Sequence, residues 1–382
     1  MIYFDNSATT KCSRAAMEIM CEALSENFGN PSSLHNFGFT AEKYIKNSRA
    51  IIASTLKCDV KEIVFTSGGT EGNNMAIRGC AYAYQKRGKH IITTSVEHAA
   101  VINPCKQLEK EGFEVTYLPV DEKGVVSVDD VKNALRDDTI LVAIMYVNNE
   151  IGSVMPISQI GSLLKDRPNT YFFVDAIQAF GKYQINPKNM GIDMMSVSGH
   201  KLHGPKGSGF LYIKDKVRVE PIILGGGQEN ALRSGTENVP AIAGLGVAVK
   251  EAYDNLSVNV ERMTSVKKHL RERLSEIDDI VINGPDCNEG APHIVSVTVT
   301  GVRSEVMLHT LEEKGIYVSA GSACSSNKPS PSRTLQAIGL SGLPLESTIR
   351  FSFCEDNTIE EVDEAIEVMK ATVPTLRKFT RH

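Results

Sequence analysis

The chain has 382 residues, room for two domains or for one large domain with a smaller companion. Its 42% hydrophobic and 23% charged residues are ordinary for a globular protein, and a formal net charge of −5 argues against a general nucleic-acid or membrane-surface binder. The longest apolar runs, such as residues 140–147, are too short to span a bilayer, and the opening Met1-Ile2-Tyr3-Phe4-Asp5-Asn6 lacks the basic and apolar stretches of a signal peptide.

In chain order, short apolar runs alternate with helical patterns. Residues 63–66 read as a strand and 70–87 as a helix. Residues 90–93 are the next strand, 98–111 the next helix, and 115–118 is again strand-like. Residues 139–147 and 171–174 are nearly continuous in apolar side chains, as expected for strands buried on both faces, and 194–197 and 210–213 complete the set. Strands alternating with helices imply a mostly parallel sheet covered on both sides, with ligands bound beyond the strands' carboxyl ends. A charged amphipathic helix over 254–277 leads into a second group. It comprises strands at 280–282 and 294–299, a helix at 304–314, a strand at 316–318, a loop over 319–332, a strand at 349–353 and a helix at 359–373. The pattern predicts an α/β chain with a large domain followed by a small α+β domain, with bounds expected at 15–253 and 254–382 and with residues 1–14 expected as an N-terminal segment joining the small domain.

Eight cysteines at 12, 21, 58, 80, 105, 287, 324 and 354 include no C-x-x-C pair and suggest neither a zinc site nor a disulfide framework. They read as reduced thiols, most of them small buried hydrophobes. Cys324 differs, because Ser319-Ala320-Gly321-Ser322-Ala323-Cys324-Ser325-Ser326-Asn327 surrounds it with small polar residues and resembles a loop carrying a nucleophile.

Ser198-Gly199-His200-Lys201 ends an apolar strand in a lysine. Most lysines are solvated surface residues. One held near other cations, however, has a depressed pKa and can form a Schiff base with an aldehyde. Ser198 and His200 beside it suit a phosphate, and an aldehyde bearing a phosphate is pyridoxal phosphate (PLP). That cofactor needs a carboxylate on its pyridine nitrogen. Asp175 ends the strand 171–174 and qualifies, although Asp in that position also caps turns; Gln178 can aim at the same ring. Ser67-Gly68-Gly69-Thr70-Glu71 opens a helix and can cradle an anion, or can be an ordinary start capped by Thr70. His98 and Asn149 end two further strands; an imidazole there could stack on the ring and move protons, and each has a structural reading as well. The Gly-rich segment 225–229 leads to Arg233-Ser234-Gly235-Thr236, whose hydroxyl can reach a phosphate or simply lie on a surface loop. Arg350 lies within an apolar strand and needs a partner, either a substrate carboxylate or a structural acid.

Taken with Tyr3-Phe4-Asp5-Asn6-Ser7-Ala8-Thr9-Thr10, Asn30-Pro31-Ser32-Ser33-Leu34-His35 and Glu97-His98, these ordered motifs resemble the cysteine desulfurases of the NifS/IscS type. The resemblance implies a fold-type I PLP-dependent transferase, in which Lys201 carries the cofactor and His98 stacks on it and moves protons. Asp175 would hold the pyridine nitrogen and Gln178 the ring oxygen. Gly69, Thr70, Ser198 and His200 would hold the phosphate, with Thr236 supplied by the other subunit of a homodimer. Asn149 would line the site, and Arg350 would clamp the substrate carboxylate. Cys324 would take sulfur from L-cysteine as a persulfide, release alanine and pass the sulfur to an acceptor protein, for iron–sulfur cluster assembly or for tRNA or cofactor thiolation, in the cytoplasm. Neither metal, nucleic acid nor membrane is expected. Selenocysteine lyase is the alternative enzyme. A transaminase needs no loop thiol, and a non-enzymatic sulfur relay needs neither Lys201 nor Asp175.

Overall fold

The computed structural model describes residues 1–320 and 331–379; Cys324, the expected nucleophile, lies outside them. Among the described residues thirteen strands run in chain order: β1 Ile2–Tyr3, β2 Ile63–Thr66, β3 His90–Thr94, β4 Glu114–Leu118, β5 Thr139–Met145, β6 Tyr171–Asp175, β7 Met194–Ser198, β8 Gly209–Ile213, β9 Ile280–Asn283, β10 Ile294–Val299, β11 Ile316–Tyr317, β12 Ser319–Ala320 and β13 Thr348–Ser352. The seven-stranded sheet has the order β2-β8-β7-β6-β5-β3-β4 and is parallel except at β8, which runs antiparallel to both neighbours. Every strand expected from the apolar runs is present, and the expected α/β class holds.

The continuous apolar runs are explained by burial on both faces. In β5, Leu141 and Ala143 join one core with Met75 and Ile77 of the helix Gly69–Tyr84, while Val142 and Ile144 join the other with Ile45 and Ile52 of the helix Asn36–Leu56. The crossover helices thus cover the sheet on both sides, and the parallel strands deliver their carboxyl ends to one rim.

A separate core holds Ile2 and Phe4 with Met263, Leu270, Val297, Phe351 and Val373. It fills the space behind the four-stranded sheet β12-β13-β10-β9, where β10 pairs antiparallel with both β9 and β13. The N-terminal strand β1 pairs parallel with β11 and so belongs to this second core.

Three expectations are corrected. The helix expected over 254–277 is present over the shorter span Leu256–Leu274, and a separate helix, Val239–Asp254, precedes it across Asn255. The last helix runs from Ile359 to Phe379, continuing through Pro374 rather than ending before it. The segment expected as loop from 319 begins with the short strand β12. Among the described residues no helix is long and apolar enough to cross a membrane.

Candidate active site

A cleft with about 740 Å³ of open space lies at the carboxyl rim of the sheet. It is lined by Gly69 and Thr70 beyond β2, His98 beyond β3, Asn149 beyond β5, Asp175 and Gln178 at the end of β6, Ser198, His200 and Lys201 at the end of β7, and Arg350 from β13. Ten of the twelve residues singled out in the sequence therefore meet in one place. The exceptions are Thr236, which is exposed and outside this lining, and Cys324, which lies outside the described residues.

Lys201 sits in a one-turn helix, Gly199–Lys201, directly after β7. Its Nζ donates to the carbonyls of Ser7 at 2.6 Å and Ala8 at 2.7 Å. The N-terminal segment thus aims the amine, a role carried by backbone oxygens. Lys201's own carbonyl accepts from Lys182 Nζ at 2.7 Å.

Asp175 is buried at the end of β6. Its Oδ1 accepts from the Ile177 N–H at 3.0 Å and its Oδ2 from Asn73 Nδ2 at 2.7 Å. It accepts from the turn and also lines the cleft. Burial pushes its carboxyl up, while His98, the two donors and Lys201 oppose that rise. Asn73, one helical turn after Gly69, is a positioning residue that sequence reasoning missed. Its own oxygen accepts from Ser196 Oγ on β7.

His98 caps the helix Ala99–Lys110, its Nδ1 accepting from the Ala100 N–H at 3.1 Å. In the neutral ring the proton is therefore on Nε2. Burial lowers its pKa; Lys201 adds to that effect and Asp175 works against it. The preceding Glu97 is fully buried; its Oε1 accepts from Thr94 Oγ1 at 2.8 Å and the Met145 N–H at 3.0 Å. Burial pushes that carboxyl up to about 8.

The helix start expected as an anion cradle is capped at a residue other than the one expected. The cap position of the sixteen-residue helix Gly69–Tyr84 is Gly68, not Thr70, and no side chain caps it. Gly68 has φ 144°, a conformation that L side chains rarely adopt. At Gly69 a side-chain carbon would stand 2.1 Å from Ile177 Cδ1. Backbone N–H groups and the positive end of the helix thus face the lip of the cleft, beside Ser198 and His200. Burial, with Lys201 and Lys206 nearby, lowers His200 to about 4. Glu71 in this turn accepts from Ser67 Oγ at 2.5 Å and pairs with Arg233 at 2.9 Å, which ties the Gly-rich segment to the cradle.

Arg350 also combines two readings. Its guanidinium donates to Asp5 Oδ1 and to the Asn149 carbonyl, each at 2.8 Å, so the structural acid exists. Yet its Nε is buried with no partner among the described residues, as is Ser7 Oγ, and both residues line the cleft. Gln178 is largely taken up: its Nε2 donates to the Ser7 carbonyl at 2.9 Å, and its Oε1 lies 3.2 Å from His293 Nε2.

These residues fit PLP. The uncapped helix start, two small residues, a hydroxyl and an imidazole suit its phosphate; a buried carboxylate with spare lone pairs suits its ring nitrogen; the amine suits its aldehyde; and the orphaned guanidinium N–H suits the carboxylate of an amino acid.

The class-V aminotransferase family model matches residues 2–365. The cysteine desulfurase IscS of Clostridium botulinum is 43% identical over 381 residues, covering 99% of this chain and 96% of its own. Among solved structures, a NifS-like protein superposes with TM-score 0.93 at 36% identity, covering 98% of this chain and all of its own. A structure described as SspA in complex with cysteine superposes with TM-score 0.82 at 38% identity, covering 94% of this chain and all of its own.

Proposed function

We propose, for a chain that belongs to the class-V aminotransferase family and within it to the NifS/IscS-type cysteine desulfurases, that the cleft around Lys201 takes L-cysteine and that Cys324 receives its sulfur. The enzyme is a PLP-dependent cysteine desulfurase; the bound cofactor supplies the electron sink that lets bonds at the substrate's α-carbon and β-carbon break. Selenocysteine lyase is not favoured, because the relatives matched over the whole chain are named as cysteine desulfurases.

Asp175, held by Asn73 and the Ile177 N–H, takes the cofactor's ring nitrogen. Gly69, Thr70, Ser198 and His200 take its phosphate, and Gln178 and Asn149 border its ring. Arg350 Nε donates to the carboxylate of the substrate. Lys201 Nζ, aimed by the Ser7 and Ala8 carbonyls, removes the proton from the substrate's α-carbon, and His98 moves protons through Nε2. The Cys324 thiolate attacks the substrate sulfur. An S–S bond forms, the Cβ–S bond breaks with its electron pair staying on Cβ, and protonation there yields alanine.

The working unit is a cytoplasmic homodimer in which the partner subunit completes the phosphate site through its copy of Thr236. The exposure of Thr236, and of Phe28, Leu34, Phe37 and Leu224, supports such a pairing. The acceptor is an iron–sulfur scaffold or a thiolation protein. The separation of the second core, with Ile2 and Phe4 inside it, supports the division at 1–14, 15–253 and 254–382.

The convergence of Lys201, Asp175, His98 and the orphaned Arg350 Nε in one cleft carries this reading. The test is incubation with L-cysteine and a reductant. Wild type is expected to yield alanine and sulfide in equal amounts, and Cys324→Ala to yield neither. Undiminished products from Cys324→Ala would remove the persulfide step.

A further inference from the structure

We propose that His203, Cys354 and Glu355 form a zinc-binding site behind the catalytic lysine, separate from the cofactor cleft. Their donor atoms, the imidazole Nε2, the thiol Sγ and a carboxylate oxygen, all lie within 4.8 Å of one another. No other group of three or more such side chains is gathered this closely among the described residues.

The imidazole is set up as a ligand. His203 Nδ1 donates to the Lys11 carbonyl at 2.8 Å, and its backbone N–H donates to Thr10 Oγ1 at 2.8 Å. A carbonyl can only accept, so Nδ1 keeps its proton and Nε2 is the ligating atom. A backbone carbonyl on the far ring nitrogen is the usual support of a zinc-bound histidine. Nε2 is buried and makes no well-aligned hydrogen bond, although Glu355 Oε2 lies 3.3 Å away. Nitrogen and oxygen ligands of a tetrahedral zinc ion, at roughly 2.0–2.1 Å each, stand about 3.3 Å apart. Cys354 directly precedes Glu355, is buried, and has its backbone N–H on Asn357 Oδ1 at 2.9 Å.

One thiolate, one imidazole and one carboxylate select a borderline-soft divalent ion over magnesium or calcium, and leave a fourth position for water. Zinc takes cysteine as thiolate and histidine as neutral imidazole, so the ion's two charges balance the two anionic ligands.

The site ties together segments that also build the cleft. His203 follows Lys201 by two residues, Lys11 closes the segment whose Ser7 and Ala8 carbonyls hold the catalytic amine, and Cys354 follows Arg350 on the exit from β13. The same small cavity contains Lys182, whose amine bonds the Lys201 carbonyl, and His293. An ion there would staple the substrate clamp to the catalytic turn.

The experiment is metal analysis of the PLP-loaded enzyme after zinc saturation and dialysis against a weak chelator, with zinc-edge X-ray absorption. Zinc equimolar with the chain, with one sulfur among nitrogen and oxygen ligands, is expected. Cys354→Ala and Glu355→Gln should each weaken zinc retention by about tenfold or more, while Cys324→Ala retains it. Wild type without stoichiometric zinc, a sulfur-free coordination shell, full retention in Cys354→Ala, or loss in Cys324→Ala would each overturn the site. The wild-type measurements decide the matter even if the variants fold poorly. Metal content is read without turnover, so the result is independent of the proposed desulfurase residues.

Discussion

Asn73 offers the sharpest test of how the cleft works, because its contribution to Asp175 can be removed without touching the cofactor's own contacts. Asn73→Ala deletes the 2.7 Å bond to Asp175 Oδ2 and leaves the Ile177 N–H as the remaining donor among the described bonds. A hydrogen bond to a charged group contributes about 1.5–3 kcal/mol, and one pKa unit is about 1.36 kcal/mol. Asp175 is already pushed up by burial, and losing the Asn73 donor raises it further. The sign follows: the anion must form to hold a protonated ring nitrogen, and it now forms only at higher pH. The acid limb of the kcat/KM profile should move to higher pH, and PLP affinity at neutral pH should fall about 10- to 100-fold, read by titration of the cofactor's visible absorbance. Ser196→Ala loses only the hydroxyl that orients Asn73, so a smaller shift in the same direction is expected. An unmoved acid limb and unchanged PLP affinity in Asn73→Ala would refute the assignment of Asp175 as the ring-nitrogen partner supported from this helix.

Gly68→Ala forces a side chain into φ 144° at the start of the cradle; strain of about 1–3 kcal/mol should appear as weaker PLP binding and a lower Tm, and wild-type affinity would show that the cap geometry does not matter. Glu229 accepts from both Arg49 terminal nitrogens, at 2.9 and 2.6 Å, and from the Phe65 N–H at 2.9 Å, and so pins a turn of three left-handed residues to β2. Glu229→Gln leaves Arg49 without its counter-charge and should cost roughly 3 kcal/mol in urea unfolding, with a loss under about 1 kcal/mol contradicting the argument. Glu97 is raised to about 8, above its unfolded 4.5, so its contribution to stability is present at low pH and lost as pH rises toward 8. Measured by urea unfolding, Glu97→Gln should therefore gain on wild type by up to about 3 kcal/mol between pH 5.5 and 8, and a constant difference across that window would show that the carboxyl ionises normally.

The parts of this protein that can be read along the chain are those whose physics is local. Apolar runs buried on both faces announce β5 and β6, and a lysine, an acid and a histidine at strand ends announce themselves because strand ends are where such sheets bind ligands. What cannot be read this way depends on distant partners. Asn73 reaches Asp175 across 102 residues of sequence, and His203 approaches Glu355 only after β13 is paired. The Ser7 and Ala8 carbonyls that aim Lys201 have no side-chain signature at all. The direction of β8 is likewise silent, since an apolar strand looks the same parallel or antiparallel. Thr70 failed as a cap for a local reason: the chain turns at Gly68 with φ 144°, so the cap falls on a residue with no side chain.

Arg350 shows why structural and functional readings of one residue need not compete here. Two of its nitrogens are committed to Asp5 and to the Asn149 carbonyl, which fixes the guanidinium at the seam between the second core and the carboxyl rim of the large sheet. A rigid fork costs less ordering entropy when it meets a carboxylate than a free one does. The nitrogen left over, Nε, is buried and has no partner among the described residues, an arrangement that costs stability until an acceptor arrives. Asp175 follows the same logic, with one oxygen on the turn, the other on Asn73, and lone pairs remaining for the cleft. The ion pair and the cap therefore do not argue against the site. They hold its groups still, with their unused donors and acceptors turned toward the ligand.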